Sequence, residues 1–534
     1  MRFRFSQTAV MLGLIGLFLV ANRAAYDGYF SDDDFENLVN NRFAAFDIFW
    51  RGFLSFQYDF YNFRPLGHVF FRWMGQAWGL QFAPYVILIQ LFHLLNVFLV
   101  YRVTRSLLDP KAGAMAAIFF AFHPALLAAH WKPMYIFDLF CGTALMSAYY
   151  CYRQGWRIGS LMLFWCAYKS KEIAICFPLV LVVEEWFGRR QWMRLAPFFA
   201  ISLSFGGQAL IANEVRPRSA YTLQFSAAAV WQTLRFYTGA AWGSPWAMMA
   251  AWVWIRGIER RWMVMGTLSA TLLLVPLLFL PGRLYAVYLY VPLMFGSIAV
   301  GAALGRCTMR VLVVLLLAYS GFGFRELQAF RKVELAQADS TREFVEAACV
   351  ALKGSQNLSK ASYEGGPEGL NVWGVEGALR LCSGNLWLVL QPWDLKKIQK
   401  QEAVIRWTKR PGARGLVELT HFDGELSGEW YAWDGSLRWM GERARARIKV
   451  RPEDHRLVLD LQAAPADEIE VFVAGRSLGS RRLTEHGDQL LFFEVPNWGT
   501  GENVEIELLA RPARRIGNDA RELGAAVRSI KATP

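Results

Sequence analysis

Ser31-Asp32-Asp33-Asp34-Phe35-Glu36 directly follows an apolar run over about residues 7–22, and that juxtaposition decides how the chain is read. Four carboxylates within five residues are costly inside a bilayer, at roughly 2.5–3.5 kcal/mol each at its centre. The cluster therefore belongs at a water interface beside a membrane. Composition agrees: of 534 residues 54% are hydrophobic and 15% aromatic, while only 19% are charged. Such a chain is too apolar and too segmented for one soluble globule.

Apolar runs of spanning length recur as far as residue 324, about eleven in all by the length a bilayer requires. Lys and Arg in the short loops set the orientation. Arg2 and Arg4 share a side with Arg102, Arg105 and Lys111, with Arg153 and Arg157, with Arg189, Arg190 and Arg194, and with Arg256, Arg260, Arg261, Arg306 and Arg310. The opposite loops hold only Lys132, Lys169 and Lys171, Arg216 and Arg218, and Arg283. The N-terminus is thus expected in the cytoplasm, with the acidic cluster and everything after about 325 outside. Met1–Phe5 before the first run also has the form of a signal-peptide n-region, which is the alternative for that segment.

The net charge of +13 resides largely in the cytoplasmic loops, and no basic tail or nucleic-acid motif accompanies it. Nucleic-acid binding is therefore excluded as a function class. Carboxylates working in transport are expected at mid-span and with repeat symmetry, whereas these charges sit at external ends. Transporter and non-catalytic scaffold are the two non-enzyme readings.

Residues 1–325 form the membrane domain, whose first external loop covers 23–80. Residues 326–412 make a connector with a small α/β segment that includes short strand candidates at Ala378–Leu381 and Leu386–Leu390. From 413 to 534 the pattern has period two, as in Leu457-Val458-Leu459-Asp460-Leu461 and Ile469-Glu470-Val471-Phe472-Val473, with turn breakers such as Asp434-Gly435 and His486-Gly487. This spacing predicts an antiparallel β-sandwich. Trp430, Tyr431 and Trp433 in it suit either an ordinary core or sugar stacking. Cys349 and Cys382 are the two cysteines of the external part; an oxidising compartment permits their pairing, but spacing alone gives no distance.

Several external-side positions bear chemistry. In the first loop, Asp33, Asp34 and Glu36 would lie at the start of a helix on the membrane surface, where unpaired amides favour carboxylates. Capping alone would explain them. His123-Pro124 closes one span, by capping or by contacting a ligand, and Asp138 lies fifteen residues after His123, just inside the next. Lys171 in Lys169-Ser170-Lys171-Glu172 is suited to meet a phosphate while Glu172 fixes its side chain. Pro281-Gly282-Arg283 leads to Tyr285, Tyr288 and Tyr290, and the Arg283 guanidinium can hold two phosphate oxygens at once.

In this order the segments resemble the C-class (GT-C) glycosyltransferases, particularly the protein O-mannosyltransferase-like branch that includes transmembrane-and-tetratricopeptide mannosyltransferases. Asp33-Asp34-Phe35-Glu36-Asn37-Leu38-Val39-Asn40-Asn41 looks like that branch's Asp-Asp-x-Glu-Ala-Ile-Val-Asn-Asn, and Asn62-Phe63-Arg64-Pro65-Leu66 like its Tyr-Arg-Pro-Leu. Two family positions differ: a Glu in the His-Pro loop is here Ala128, and an Arg before the Asp is here Ile136. Tetratricopeptide repeats are absent, and the C-terminal region looks instead like a jelly-roll-like β-sandwich of bacterial glycan-assembly proteins.

The resemblance covers about residues 5–325 and implies a GT-C fold in a bacterial-type plasma membrane. It also implies a polyprenyl-phosphate-linked sugar donor, mannose among the candidates, and an acceptor hydroxyl on protein Ser/Thr or on an envelope glycan. In that scheme Asp33 is the catalytic base, with Asp34 as its alternative or partner. Arg64, His123, Asp138, Lys171, Glu172, Arg283 and Tyr290 bind donor phosphate or substrate. A divalent cation on the oxygens of Asp32, Asp33, Asp34 and Asp138 stays open beside a cofactor-free mechanism.

Overall fold

The computed structural model describes residues 7–57, 64–188, 190–212, 222–242, 260–392, 403–409, 414–421, 427–434, 437–450, 454–484, 486–498, 503–516, 519 and 521–533. Arg2, Arg4, Asn62, Phe63, Arg189, Arg216, Arg218, Arg256, Gly435 and much of the apolar run at 227–254 lie outside them. The chain divides into two compact units, Met1–Asp339 and Ser340–Pro534.

The first unit is helical. Among the described residues three helical segments are long and apolar enough to cross a membrane: Phe82–Leu107, Ala286–Leu304 and Met309–Ala351, the last extending past the unit. The bent pair Pro110–Ala121 and Pro124–His130 makes a fourth if counted as one span. The other apolar runs form helices that are shorter or, like Ile136–Gln154, less apolar, so the count of about eleven is not established by length and composition among the described residues.

The early elements are α1 (Gln7–Ala21), α2 (Asp33–Asn41), α3 (Phe46–Leu54), α4 (Pro65–Trp78), α5 (Phe82–Leu107), α6 (Pro110–Ala121) and α7 (Ile136–Gln154). After them come α8 (Arg157–Tyr168), α9 (Phe177–Phe187), α10 (Ala196–Ala212), α11 (Ala227–Trp242), α12 (Arg260–Leu273), α13 (Tyr290–Leu304) and α14 (Met309–Ala351). Helix α13 is buried along its whole length, which explains its lack of polar faces. Its neighbours approach closely where side chains are missing: a Cβ on Gly301 would stand 2.6 Å from the Ala112 carbonyl, and one on Gly266 2.6 Å from the Ala299 nitrogen. Small residues permit such packing without a hydrophobic driving force between helices.

The surface helix expected after the acidic cluster is two helices, α2 and α3. On α3 the residues Phe46, Ile48, Trp50 and Leu54 are exposed. Its C-terminal end is held by side chains from the spanning region: Trp165 Nε1 donates to the Phe53 carbonyl at 2.9 Å and Lys169 Nζ to that of Ser55 at 2.7 Å. Unpaired carbonyls at a helix end are natural partners for such donors.

The second unit contains the C-terminal end of α14, a further helix α15 (Val372–Ser383) and two sheets. Strands β1 (Lys360–Glu364), β2 (Val389–Pro392), β3 (Ala403–Thr408) and β4 (Leu416–His421) lie in the order β2-β1-β3-β4, with β1 parallel to both neighbours. The strand expected at Ala378–Leu381 is instead part of α15. Its buried Gly374, Val375, Ala378 and Leu379 follow a helical period, Asn371 caps the start through the Gly374 amide, and Gly384 ends it in the left-handed region. The four residues Ala378–Leu381, three of them apolar, are too few to separate the two periods. The strand expected at Leu386–Leu390 begins only at Val389.

The larger sheet is antiparallel and eight-stranded. It comprises β5 (Ser427–Asp434), β6 (Leu437–Lys449), β7 (Arg456–Ala463), β8 (Glu468–Val473), β9 (Arg476–Arg482), β10 (His486–Glu494), β11 (Asn503–Arg511) and β12 (Ala525–Thr533). Along one edge of β6, Arg438–Met440 pairs with β12 while Arg443–Lys449 pairs with β11. One long strand therefore feeds both halves of the sheet. A single apolar cluster draws Leu457, Leu459 and Leu461 from one half and Ile469, Val471 and Ile506 from the other, so the sheet folds around a common core. Trp430 belongs to that core and donates to the Arg445 carbonyl at 2.9 Å; the Trp433 side chain lies outside the described set. Glu364 ties the two sheets together, meeting Arg406 at 3.2 Å and Arg438 at 2.6 Å.

Cys349 and Cys382 form a disulfide that joins the end of α14 to α15. For a pair 33 residues apart, loop entropy puts its stabilisation at about 3–4 kcal/mol. Cys382→Ser is expected to speed amide hydrogen exchange across residues 345–392 while exchange in Met1–Asp339 stays unchanged. Equal protection in both forms would show that packing alone holds this segment.

Candidate active site

Helix α2 starts on a strained residue. Asp32 precedes it with φ +32°, a conformation that costs a non-glycine residue on the order of 1–3 kcal/mol. The turn is closed from within: Asp34 Oδ2 accepts the Ser31 amide at 2.9 Å, while the Ser31 carbonyl accepts the Asp34 amide at 2.8 Å. Capping thus accounts for part of the acidic cluster. It also separates two neighbours the sequence left equivalent, since Asp33 is exposed and Asp34 is 0% exposed.

Burial pushes the Asp34 carboxyl up to about 8, against the opposing pull of the Ser31 amide and Lys132. Desolvation disfavours the ionised form, so Asp34 is chiefly protonated at neutral pH. At the far end of α2, the Asn41 amide donates to His68 Nδ1 on α4 at 2.8 Å. Burial, assisted by Arg64, holds His68 down at about 3 and so neutral.

Arg64 precedes Pro65, the first residue of α4. Its guanidinium grips Glu172 with two bonds, Nε to Oε1 at 3.0 Å and Nη2 to Oε2 at 2.8 Å. Lys171 Nζ meets both oxygens of Asp138 at 2.6 Å. Glu172 therefore does not fix Lys171 as the sequence suggested; adjacent residues point to different partners. Burial lowers the proton affinity of Lys171, and Asp138 opposes that shift.

Tyr288 links the remaining cation. Its ring lies 4.6 Å from Lys171 Nζ, and its hydroxyl accepts from Arg283 Nη2 at 2.9 Å. Arg283 also stacks over Tyr285 at 5.2 Å. Tyr135 lies within electrostatic reach of Asp138, Tyr288, Asp33 and Asp34, which joins the acidic turn to the cationic group.

Two expected ligand contacts are committed to the fold. His123 Nδ1 accepts the Ala125 amide at 3.2 Å and Nε2 meets the Ala241 carbonyl at 3.2 Å, so His123 is a cap. Tyr290 is buried at the start of α13, its hydroxyl 2.9 Å from His93 Nδ1 and 3.1 Å from Asn96 Nδ2. Tyr288, not Tyr290, lies with Lys171 and Arg283. The sequence offered three tyrosines in one run and no signal to choose among them, because the choice depends on the short 3-10 turn Ala286–Leu289 before α13. Among the described residues no three His, Cys, Asp or Glu side chains converge as cation ligands, so the carboxylate set Asp32, Asp33, Asp34 and Asp138 is not assembled as one.

Comparison with solved structures places this architecture. The oligosaccharyltransferase of Archaeoglobus fulgidus in its apo form matches 99% of this chain and 97% of its own, with TM-score 0.51 at 9% identity. The fold is of the GT-C type. ArnT from Cupriavidus metallidurans bound to undecaprenyl phosphate matches 72% of this chain and 86% of its own, with TM-score 0.48 at 14% identity. No family model and no curated protein sequence matches the chain. Within this GT-C fold nothing singles out the O-mannosyltransferase-like branch.

Proposed function

We propose that this protein is an inverting membrane glycosyltransferase that moves a sugar from a polyprenyl-phosphate donor to an acceptor hydroxyl on the extracytoplasmic side. The observation that carries the proposal is the Arg64–Glu172, Lys171–Asp138 and Arg283–Tyr288 assembly beside the Asp33 turn. Lys171 and Arg283 meet around the Tyr288 ring and hydroxyl, and such a pair of cations suits a phosphodiester.

Asp33, exposed at the start of α2, takes the acceptor proton as the acceptor oxygen attacks the anomeric carbon. The bond from that carbon to the phosphate oxygen breaks, and its electron pair leaves with the phosphate. Lys171 and Arg283 stabilise the growing negative charge, and Arg64 orders the site through Glu172. Direct displacement inverts the anomeric centre. Asp34, neutral in its burial, places no second negative charge beside Asp33.

Lys and Arg counts in the loops and the disulfide in Ser340–Pro534 both support a plasma membrane location with that unit outside. The test is transfer by the purified full chain in vesicles, using radiolabelled polyprenyl-phosphate sugars with mannose first and both Ser/Thr peptides and envelope glycans as acceptors. Label is expected to leave the lipid for one acceptor fraction with inverted configuration. Retention of label on every donor overturns the proposal.

A further inference from the structure

Helix α5 carries a polar stripe along an otherwise apolar span. Gln90, His93 and Asn96 recur every third residue, so they lie toward one side, and each is buried. Polar groups at that depth are costly unless they are paired. Asn96 is paired on every side: its Nδ2 donates to the Leu139 carbonyl at 3.0 Å and to the Tyr290 hydroxyl at 3.1 Å, and its Oδ1 accepts the Thr143 hydroxyl at 2.7 Å. A carbonyl can only accept, so the amide nitrogen must face Leu139 and the orientation of the side chain is fixed. The Tyr290 hydroxyl, having accepted from Asn96, gives its own proton to His93 Nδ1 at 2.9 Å. His93 Nε2 in turn donates to the Ala121 carbonyl at 3.4 Å.

The two partners of the Asn96 nitrogen belong to the two halves of the cationic group. Leu139 follows Asp138, whose oxygens hold Lys171 Nζ at 2.6 Å. Tyr290 stands two residues after Tyr288, whose ring lies 4.6 Å from Lys171 Nζ and whose hydroxyl accepts from Arg283 at 2.9 Å. One buried amide therefore spans α7 and α13 at the ends that deliver Lys171 and Arg283. The same helices touch at Gly142, one turn after Asp138, where a Cβ would stand 2.6 Å from Met294 Sδ and 3.2 Å from Tyr290 Cε1. The Tyr290 ring is thus seated against α7 while its hydroxyl is held by α5.

We propose that Asn96 is a positioning residue that sets the separation of Lys171 and Arg283 for a lipid-linked phosphate, acting through the Leu139 carbonyl on one side and the Tyr290 hydroxyl on the other. This inference rests on the function proposed above.

The test uses the purified full chain in lipid nanodiscs and reads two quantities: Kd for radiolabelled polyprenyl phosphate, and kcat with acceptor KM for sugar transfer. Asn96→Leu removes both donated bonds. Tyr290→Phe removes only the hydroxyl and keeps the ring against Gly142. Ser160→Ala is the structural control, since the buried Ser160 hydroxyl donates to the Ala148 carbonyl of α7 at 2.8 Å, away from both cations. In Asn96→Leu and Tyr290→Phe, Kd is expected to rise about tenfold, near the lower end of what a hydrogen bond to a charged group contributes. Their kcat is expected to fall about 10²-fold, the effect of misplacing a reacting group by roughly 1 Å. Acceptor KM stays unchanged. Because both variants break one shared contact, the double variant is expected to lose much less than the sum of the two losses.

Unchanged Kd and kcat in both variants, while the wild-type protein transfers sugar, overturn this inference and leave the proposed function standing. Losses that Ser160→Ala reproduces at equal lowering of Tm overturn it too, as do fully additive losses in the double variant. Should Asn96→Leu fail to fold, Tyr290→Phe decides alone. A wild-type protein that binds polyprenyl phosphate and transfers no sugar removes the proposed function, and the Kd comparison then decides this inference. One that binds none overturns both.

Discussion

Asp33→Asn is expected to lower sugar transfer by about 10²–10⁴-fold, the range for removing a positioned general base, while Asp34→Asn keeps most of the activity at neutral pH. The contrast follows from burial. Asp33 is exposed at the start of α2, so amidation removes a proton acceptor without disturbing packing. Asp34 is enclosed and held protonated by that burial. An asparagine there has the shape of the neutral acid and can still accept the Ser31 amide. Initial rates with saturating donor, together with donor retention and thermal unfolding for each variant, make the comparison. Unchanged turnover in Asp33→Asn, with the full effect in Asp34→Asn, would transfer the role of base to the buried residue.

Removing either partner of the Lys171–Asp138 pair should have the largest effect on folding. Both side chains are nearly enclosed, at 12% and 4% exposure, and both Asp138 oxygens lie 2.6 Å from the ammonium. Asp138→Leu leaves a buried cation without its counter-charge, which typically costs about 3–5 kcal/mol. Lys171→Met strands the carboxylate in the same way. The double variant Lys171→Met with Asp138→Leu leaves neither charge unpaired, so it is expected to recover most of the stability, because apolar replacement of a buried pair is often neutral. Under the proposed function transfer stays lost in the double variant, since Lys171 no longer offers a positive charge to the phosphate. Denaturant midpoints and transfer rates on the four proteins separate the two roles. Recovery of transfer along with stability would make the pair purely structural.

The acidic turn shows how far the residue pattern reaches. Carboxylates in the first turn of a helix after an apolar run could be read directly, because amide donors at helix starts favour them wherever they occur. Which of Asp33 and Asp34 is enclosed could not, since this depends on the Ser31 contact and on the loop around Met134. Tyr288 and Tyr290 give a second case: a single residue separates them, and the switch from a 3-10 turn to α13 sends one toward Lys171 and the other into the core beside His93. In the second unit, strands of period two such as Leu457–Leu461 were legible because alternation reports a half-buried sheet over several residues. The four residues at Ala378–Leu381 were not, and their helix is defined by the Asn371 cap and Gly384.

By itself the sequence determined what depends on local chemistry: the apolar runs that require a bilayer, the charges confined to their ends, and the alternation that builds the C-terminal sheet. Tertiary structure alone decided the pairings. Arg64 reaches Glu172 across 108 residues and Lys171 reaches Asp138 across 33, so helix packing, which no local pattern encodes, sets their separations. Coulomb energy and desolvation both depend on those separations and on burial, and so the chemistry of each charged side chain was fixed only when the helices closed around it.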